Sequence, residues 1–303
     1  MSKWIFSILT AFNQNNDNLV ELIFDYSNDN NIPININEKD ASGNYPITKA
    51  INKNNFDMVI LLMEYGMDNK INMNPRDING YSLLYLANKQ KNLKIFKYLT
   101  KYLDINQVDK IGQSVTFNAV DKNDIDTVKY LIHCGANLNL RNNYHNSIID
   151  YAIFKGNFEI LQLLLQNDNL LLDEYNSNKE TPLISLIKSN KFIASTKEKA
   201  IINIINKGCN IDKPDGKYNL PPLIYAIRYK TLSITKLLIR YGVNINIKNN
   251  KGHSFIRYGI NYPVRYYKNY YSNEIIKFIY LDLNSIILLT MKIYFFLKLK
   301  MII

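Results

Sequence analysis

Cysteine and histidine are scarce in this chain of 303 residues, and each shortage excludes a class of function. Cys134 and Cys209 are the two cysteines, and they lie far apart in the sequence. Neither a disulfide framework nor a Cys-x-x-Cys metal pair is therefore available. This usage predicts a reducing intracellular setting, with the cytoplasm favoured and the nucleus also open.

The three histidines are His133, His145 and His253, and they fall in three different stretches of the chain. No set of acid, base and nucleophile assembles around them. The adjacent pair His133-Cys134 lacks two further ligands at metal-binding spacing. A phosphate-binding loop, a dinucleotide fingerprint, a kinase catalytic loop and a nucleophile elbow are all missing from the sequence. We therefore expect no enzyme activity, no cofactor and no metal.

Apolar runs of membrane-spanning length are also missing. Residues 286–303 are the most apolar stretch, but Lys292 interrupts them, and they hold no uninterrupted run of about 18 residues or more. The N-terminus has a brief apolar run with a faint likeness to a signal peptide. Its apolar residues recur at helical spacing, however, and Asn-rich sequence follows where small cleavage-site residues would lie. We interpret residues 1–39 as a half-repeat that caps the structure.

A repeated pattern fills most of the chain. A turn-like tetrapeptide followed by an echo of Thr-Pro-Leu-x-x-Ala occurs seven times. The turns begin at Asp40, Asp77, Asp109, Asn142, Asn176, Gly216 and Asn249. These starts are spaced by 37, 32, 33, 34, 40 and 33 residues, so one unit is about 33 residues long.

The third unit shows what each unit is built to do. It is predicted to contain a turn at 109–112, a first helix over 114–122, a second helix over 124–133 and an exit over 135–139. Gly112 supplies a positive φ in the turn, and Ser114 is expected to cap the first helix. An apolar stripe runs along the second helix: Ile125, Val128, Leu131 and Ile132. One helix pair cannot bury this stripe alone, so the units must stack.

Residues 34–260 resemble the ankyrin-repeat family. Thr181-Pro182-Leu183 keeps the family's Thr-Pro-Leu intact, while the His that follows this motif in the family is replaced throughout. Its replacements are Thr48, Tyr85, Phe117, Asp150, Ile184, Ile224 and Arg257. The resemblance implies an all-α fold, an ankyrin-repeat solenoid of stacked helix-turn-helix units with short hairpin turns. It also implies weaker coupling between units, because that His links adjacent hairpins in the family.

Three regions follow from this pattern: the capping half-repeat at 1–39, the array at 40–260, and a degenerate last repeat with a basic, apolar C-terminal segment at 261–303. Two units are longer than the rest. Residues 69–75 extend the exit of the first unit, and residues 194–199 are predicted to lengthen the link between the two helices of the fifth. Both are expected to be surface loops.

The excess positive charge is concentrated near the C-terminus. Residues 249–303 hold eight Lys and Arg residues against two acidic ones, which is six of the net charge of +11. Tyrosines 266, 267, 270 and 271 are interleaved with these cations. For residues 286–303 three interpretations stay open: a helix covering the end of the stack, a membrane-surface helix with lysine anchors, and an irregular terminus.

The resemblance implies a concave groove lined by the hairpin tips and by the C-terminal ends of the first helices. The predicted partner-binding residues in that register are Lys53, Tyr81, Lys89, Lys122, Tyr144, Phe154, Lys155, Lys188, Tyr218, Arg228 and Tyr229. Aromatic residues beside cations are enriched at protein interfaces. Each Lys or Arg near a helix C-terminus also offsets the helix dipole, which is an alternative reason for its presence.

The sequence thus predicts a non-enzymatic ankyrin-repeat adaptor or scaffold, monomeric, whose basic and aromatic groove binds an unidentified acidic protein or peptide. The alternative is a peripheral membrane or nucleic-acid-associating protein that acts through its basic, Tyr-rich C-terminal segment. A third interpretation is an array that has decayed and has no selected partner.

Overall fold

The computed structural model describes residues 16–32, 34–229 and 231–245, together with Ala11 and Gln14. This part of the chain is helical, and its one β-bridge joins Arg141 and Ser147. The thirteen described helices are α1 (Asp17–Asp29), α2 (Pro46–Asn52), α3 (Phe56–Asp68), α4 (Leu83–Lys89), α5 (Leu93–Leu99), α6 (Val115–Asp121), α7 (Ile125–His133), α8 (Ile148–Lys155), α9 (Phe158–Leu165), α10 (Pro182–Lys188), α11 (Ala194–Asn206), α12 (Pro222–Arg228) and α13 (Leu232–Arg240). The predicted all-α fold is confirmed. The predicted seventh turn and the C-terminal segment lie outside the described residues.

Helices come in pairs, as the repeat predicts. From α2 onwards, a first helix of seven or eight residues starts within each of the six echoes that the structure describes, and a second helix follows it after a short link. Proline occupies the first position of α2, α10 and α12, where its missing N–H costs no hydrogen bond and its fixed φ suits the helix.

Asparagine and aspartate side chains begin most of the second helices. Asn55, Asn92, Asp124 and Asn157 each accept a hydrogen bond from the backbone N–H three residues on. Each bond satisfies one of the N–H groups that a helix start leaves without a partner. These caps fix where the chain turns from the first helix of a pair into the second.

The hairpin turns share one side-chain arrangement. An Asp or Asn oxygen accepts hydrogen bonds from the backbone N–H groups two and four residues on, at Asp40, Asp77, Asp109, Asn142 and Asn176. In the sixth turn the equivalent residue is Asp215, which accepts from Lys217 N, Tyr218 N and Leu220 N. The sequence placed this turn's start at Gly216, one residue too late, because the sixth turn contains one residue more than the others.

The structure divides into two units, Met1–Ile148 and Ile149–Ile303. In the first unit, α2, α4 and α6 pack side by side, and each also contacts its own second helix. Side chains from both layers are fully buried there, including Ile51, Leu62, Phe96 and Phe117. A Cβ at Gly66 would lie 2.0 Å from the Met73 sulfur, so glycine leaves the space on α3 that the Met73 side chain of the extended exit loop occupies.

In the second unit, α10 packs against α11 and α12, α9 packs against α11, and α12 packs against α13. Its core is almost entirely Leu, Ile and Ala, with Leu161, Leu186, Ile204 and Leu238 fully buried. Burial of such side chains supplies the main driving force for stacking, at about 25 cal/mol for each Å² of apolar surface removed from water.

Two further local predictions are wrong. Ser114 does not cap α6, because its side chain makes no cap hydrogen bond and its buried Oγ has no partner. Residues 194–199 are not a loop, because α11 begins at Ala194 and absorbs them into its first turns. The extension at 69–75 is a loop, as predicted.

Candidate functional site

In the first unit, the predicted cations lie where the first helices end. Lys53 and Lys122 follow the last residues of α2 and α6, Lys89 ends α4, and all three side chains are exposed. Burial, followed by repulsion from Lys89, lowers the pKa of the Lys122 ammonium. Lys91 adds to this repulsion, so the structure brings Lys89, Lys91 and Lys122 close together. Lys89, Lys91 and Lys122 form no salt bridge with a described residue.

The two aromatic residues predicted at the first unit's hairpin tips differ in their exposure to solvent. Tyr81 is half-buried, because its ring stacks on Tyr85 with the two centroids 4.0 Å apart. Burial and the neighbouring Tyr81 raise the pKa of the Tyr85 hydroxyl to about 12. Tyr144 is 60% exposed at the tip of its turn. Tyr81 therefore packs within its own repeat, while Tyr144 presents its ring to solvent.

A buried polar network joins the second and third repeats and was missed by sequence reasoning. Asn118 on α6 donates to the Asn88 side-chain oxygen on α4, at 2.6 Å. Asn88 in turn donates to Asp124 Oδ2 at 3.1 Å, and this oxygen also accepts from the Thr127 hydroxyl. Asn88, Asp124 and Thr127 of this network line a cavity of about 340 Å³, together with Lys91 and Lys122. It supplies hydrogen bonds between repeats that lack the family's histidine.

In the second unit, Phe154 and Lys155 are the last two residues of α8 and are exposed, Phe154 by 69%. Arg228 ends α12 and Tyr229 follows it, with Tyr229 50% exposed. Tyr218 lies in the sixth turn and is 53% exposed, with the Lys217 ammonium 5.0 Å from its ring centroid. Cations and aromatic rings thus lie side by side in this unit.

Lys188 is half-buried and paired, whereas the sequence treated it as an available cation. Its ammonium forms an ion pair with the Glu180 carboxylate, which is 8% exposed. Glu180 stands eight residues earlier, just before the start of α10, and the helix brings the two charges together. The ammonium also lies 5.4 Å from the centroid of the Tyr225 ring.

Tyr225 is the centre of a second cavity, which holds about 450 Å³ and lies within the second unit. The Tyr225 hydroxyl donates to Asp215 Oδ2 at 3.0 Å. Burial, followed by the charge of Asp215, raises the pKa of this hydroxyl well above its usual range. The guanidinium carbon of Arg228 lies 6.0 Å from the centroid of the Tyr225 ring. The cavity is lined by Ser177, Asn178, Lys179, Glu180, Lys188, Asp215, Lys217, Tyr218 and Tyr225.

Within the part of the chain that the structure describes, no group of three or more His, Cys, Asp or Glu side chains is placed to hold a metal ion. Among the same residues, no helix is long and apolar enough to cross a membrane. The predicted roles of the Tyr-rich segment and of residues 286–303 fall outside these residues.

Three family models match the chain. They are described as Ankyrin repeats (3 copies) over residues 8–109, Ankyrin repeats (many copies) over residues 117–165, and Ankyrin repeat over residues 218–250. The chain belongs to the ankyrin-repeat family. An ankyrin repeat protein of Acanthamoeba polyphaga mimivirus is 27% identical over 189 residues, which are 60% of this chain and 24% of the viral protein. The chain thus spans about a quarter of that relative's length.

Solved ankyrin repeat domains have the same fold. The crystal structure of the Bcl-3 ankyrin repeat domain matches with a TM-score of 0.64 and 17% identity, over 78% of this chain and 99% of that domain. An ankyrin repeat domain from Acinetobacter baumannii matches with a TM-score of 0.57 and 21% identity, over 66% of this chain and 99% of that domain. The predicted ankyrin solenoid is therefore confirmed as the fold class. Ankyrin repeat proteins mediate protein–protein interactions.

Proposed function

We propose that this chain is a non-enzymatic adaptor or scaffold that binds an acidic protein or peptide. The binding surface is formed by the C-terminal ends of the first helices and by the hairpin tips. Two free cysteines, Cys134 and Cys209, support an intracellular setting, where thiols stay reduced.

The observation that carries the proposal is the lysine group at the ends of α4 and α6. Lys89 and Lys91 repel Lys122, while Asp124 and Asp121 offset part of this repulsion. None of the three lysines forms a salt bridge with a described carboxylate. An anionic partner would relieve this repulsion and would raise the lowered pKa of Lys122 towards its ordinary value. A group of positive charges that nearby carboxylates offset only in part also attracts an oppositely charged partner over distance.

A charge-reversal experiment tests the proposal. The intact chain and a Lys89→Glu, Lys122→Glu double variant are used to capture proteins from a cell lysate, and the bound proteins are identified and titrated individually. We expect the double variant to bind an acidic partner at least about tenfold more weakly, which corresponds to about 1.4 kcal/mol. Lys188 is left out of the variant, because reversal there would place a second carboxylate against buried Glu180.

The matched control is a Lys70→Glu, Lys101→Glu double variant. Both lysines are exposed and lie in the first unit just after second helices, α3 and α5, so the change in net charge is the same. We expect the control to weaken binding by less than about threefold, because only long-range attraction is lost. Equal weakening by both double variants would show that net charge alone drives binding and would overturn the proposal.

A further inference from the structure

The cavity that Tyr225 lines has several features of a ligand site. It lies among two hairpin turns and two first helices, α10 and α12, all within the second unit. Its volume of about 450 Å³ falls in the usual range for ligand pockets, about 300–1,000 Å³. It has an aromatic wall at Tyr225 and an exposed ring at its rim, Tyr218.

Both carboxylates of this cavity are already engaged. Asp215 is 2% exposed and accepts from three backbone N–H groups and from the Tyr225 hydroxyl. Glu180 is paired with Lys188 and also accepts from the Ser185 hydroxyl at 3.3 Å. Buried carboxylates with all their oxygens bonded give little attraction to an incoming cation.

The exposed charges of the cavity are positive. Lys179 and Lys217 are exposed at its rim, and Arg228 lies against the Tyr225 ring. Arg228 forms no salt bridge with any described residue, so its guanidinium keeps donors for a ligand. Three lysines and two carboxylates line the cavity, so one positive charge of the lining is uncompensated. Arg228 is not part of the lining, but it adds a second positive charge beside Tyr225.

We propose that this cavity binds the side-chain carboxylate of an aspartate or glutamate in an extended partner peptide. Arg228 and Lys217 donate to the carboxylate, and the Tyr218 ring covers the adjoining methylene groups of the peptide. Guanidinium donors suit a carboxylate because two parallel N–H bonds can form. The inference rests on the proposed function. It assigns one carboxylate-binding position within the proposed binding surface.

The test uses the full chain and an octapeptide of alternating Gly and Glu, with fluorescein attached to its N-terminal amine and an amide at its C-terminus. Binding is followed by fluorescence anisotropy at about 100 mM salt, where exposed charges more than about 10 Å apart are largely screened. We expect an Arg228→Gln, Lys217→Gln double variant to bind the peptide about tenfold more weakly than the intact chain.

The matched control is an Arg240→Gln, Lys199→Gln double variant. Arg240 ends α13 as Arg228 ends α12, so both arginines have the same position relative to a helix dipole. Lys199 is exposed on α11, and the control removes two positive charges from the same unit. We expect less than about twofold weakening in the control and equal helicity in all three proteins.

Three results would overturn the inference. The first is binding of the peptide that is unchanged in the Arg228→Gln, Lys217→Gln variant. If binding is then lost in a Lys89→Gln, Lys122→Gln variant, the proposed function stands and only the carboxylate-binding position is wrong. If neither double variant weakens binding of the peptide, both proposals fail.

The second result that would overturn the inference is absence of peptide binding by the intact chain. The third is equal binding of a Gly-Gln octapeptide with a free C-terminal carboxylate, which would assign the cavity to a chain terminus instead.

Discussion

At the scale of single residues, each described hairpin turn depends on one oxygen-bearing side chain. Asp40 accepts from Ser42 N and Asn44 N at 2.8 and 2.9 Å, and Asn142 makes the same pair of bonds in the fourth turn at 3.0 Å each. The side-chain oxygens of an aspartate and of an asparagine therefore accept the same hydrogen bonds from backbone N–H groups here. They differ in charge, and only the aspartate can attract a cation.

The pH dependence of stability should show this difference at Asp40. Hydrogen bonds from Asn44 N–H and from Lys49 lower the pKa of its carboxyl below the ordinary value of 3.8. A folded-state pKa that is lowered adds stability above the unfolded pKa, and this stability is lost as the pH falls through the folded value. We expect Asp40→Asn to lose less stability than the intact chain between pH 7 and pH 3, measured by urea unfolding.

The control for this experiment is Asp68→Asn, which makes the same charge change at an exposed residue that ends α3. It should retain the pH dependence of the intact chain. Identical pH profiles for the intact chain and Asp40→Asn would contradict the assignment of this stability to the turn aspartate.

Residue identity predicts where charges lie, but it does not predict how they are paired. The sequence singled out Lys89 and Lys188 on equal terms, as cations that end first helices. The structure separates them, because Glu180 precedes α10 and reaches Lys188, whereas no described carboxylate pairs with Lys89. That difference depends on the direction in which each side chain points, and a repeat period of about 33 residues does not predict this direction.

At the scale of helices, neighbouring first helices are joined by buried polar bonds as well as by apolar packing. The 2.6 Å bond from Asn118 on α6 to Asn88 on α4 is buried. An exposed counterpart links the first and second repeats, where Gln90 donates to Asn52 at 3.2 Å. A buried donor or acceptor left without its partner costs about 1–3 kcal/mol, whereas an exposed one bonds to water instead.

Double-mutant cycles should measure this contrast. We expect Asn88→Ala and Asn118→Ala each to lower the free energy of unfolding by about 1–3 kcal/mol, with a coupling energy between them of about 1 kcal/mol. The cycle for Asn52→Ala and Gln90→Ala is the matched control and should give less than about 0.5 kcal/mol. Equal coupling energies in the two cycles would show that the buried network adds nothing to the connection between repeats.

The sequence predicted the helices well because their signals are local. Apolar spacing, a proline at the first position and a capping Asn or Asp act within one or two turns of chain. The two errors at this scale have physical causes. Ser114 has the right position and residue type for a cap, but its hydroxyl is buried without a partner. Residues 194–199 are polar and were taken for a loop, but α11 extends into solvent and accommodates them as helix.

At the scale of the whole molecule, the net charge of +11 is shared between the array and the C-terminal segment. Residues 261–303 carry six cations and two acidic residues, so removing them leaves a net charge of +7. If the described cations form the binding surface, a chain that lacks residues 261–303 should bind the amidated Gly-Glu peptide within about threefold of the intact chain, measured by anisotropy at about 100 mM salt.

The intact and shortened chains are also compared on vesicles of anionic lipid and on duplex DNA. Binding to either that disappears with residues 261–303 and falls steeply with salt would support the membrane or nucleic-acid alternative. If removing residues 261–303 abolishes binding of the Gly-Glu peptide, the result contradicts a binding surface on the described helices.

The repeated hairpin turn also has a consequence for how the chain reaches its native state. In every described turn the accepting side chain and its donors are separated by at most five residues. Loops of that size close in about 10–100 ns, long before distant helices meet. Folding of this chain therefore has many similar starting points, from which structure spreads to neighbouring repeats, and no single nucleus is required.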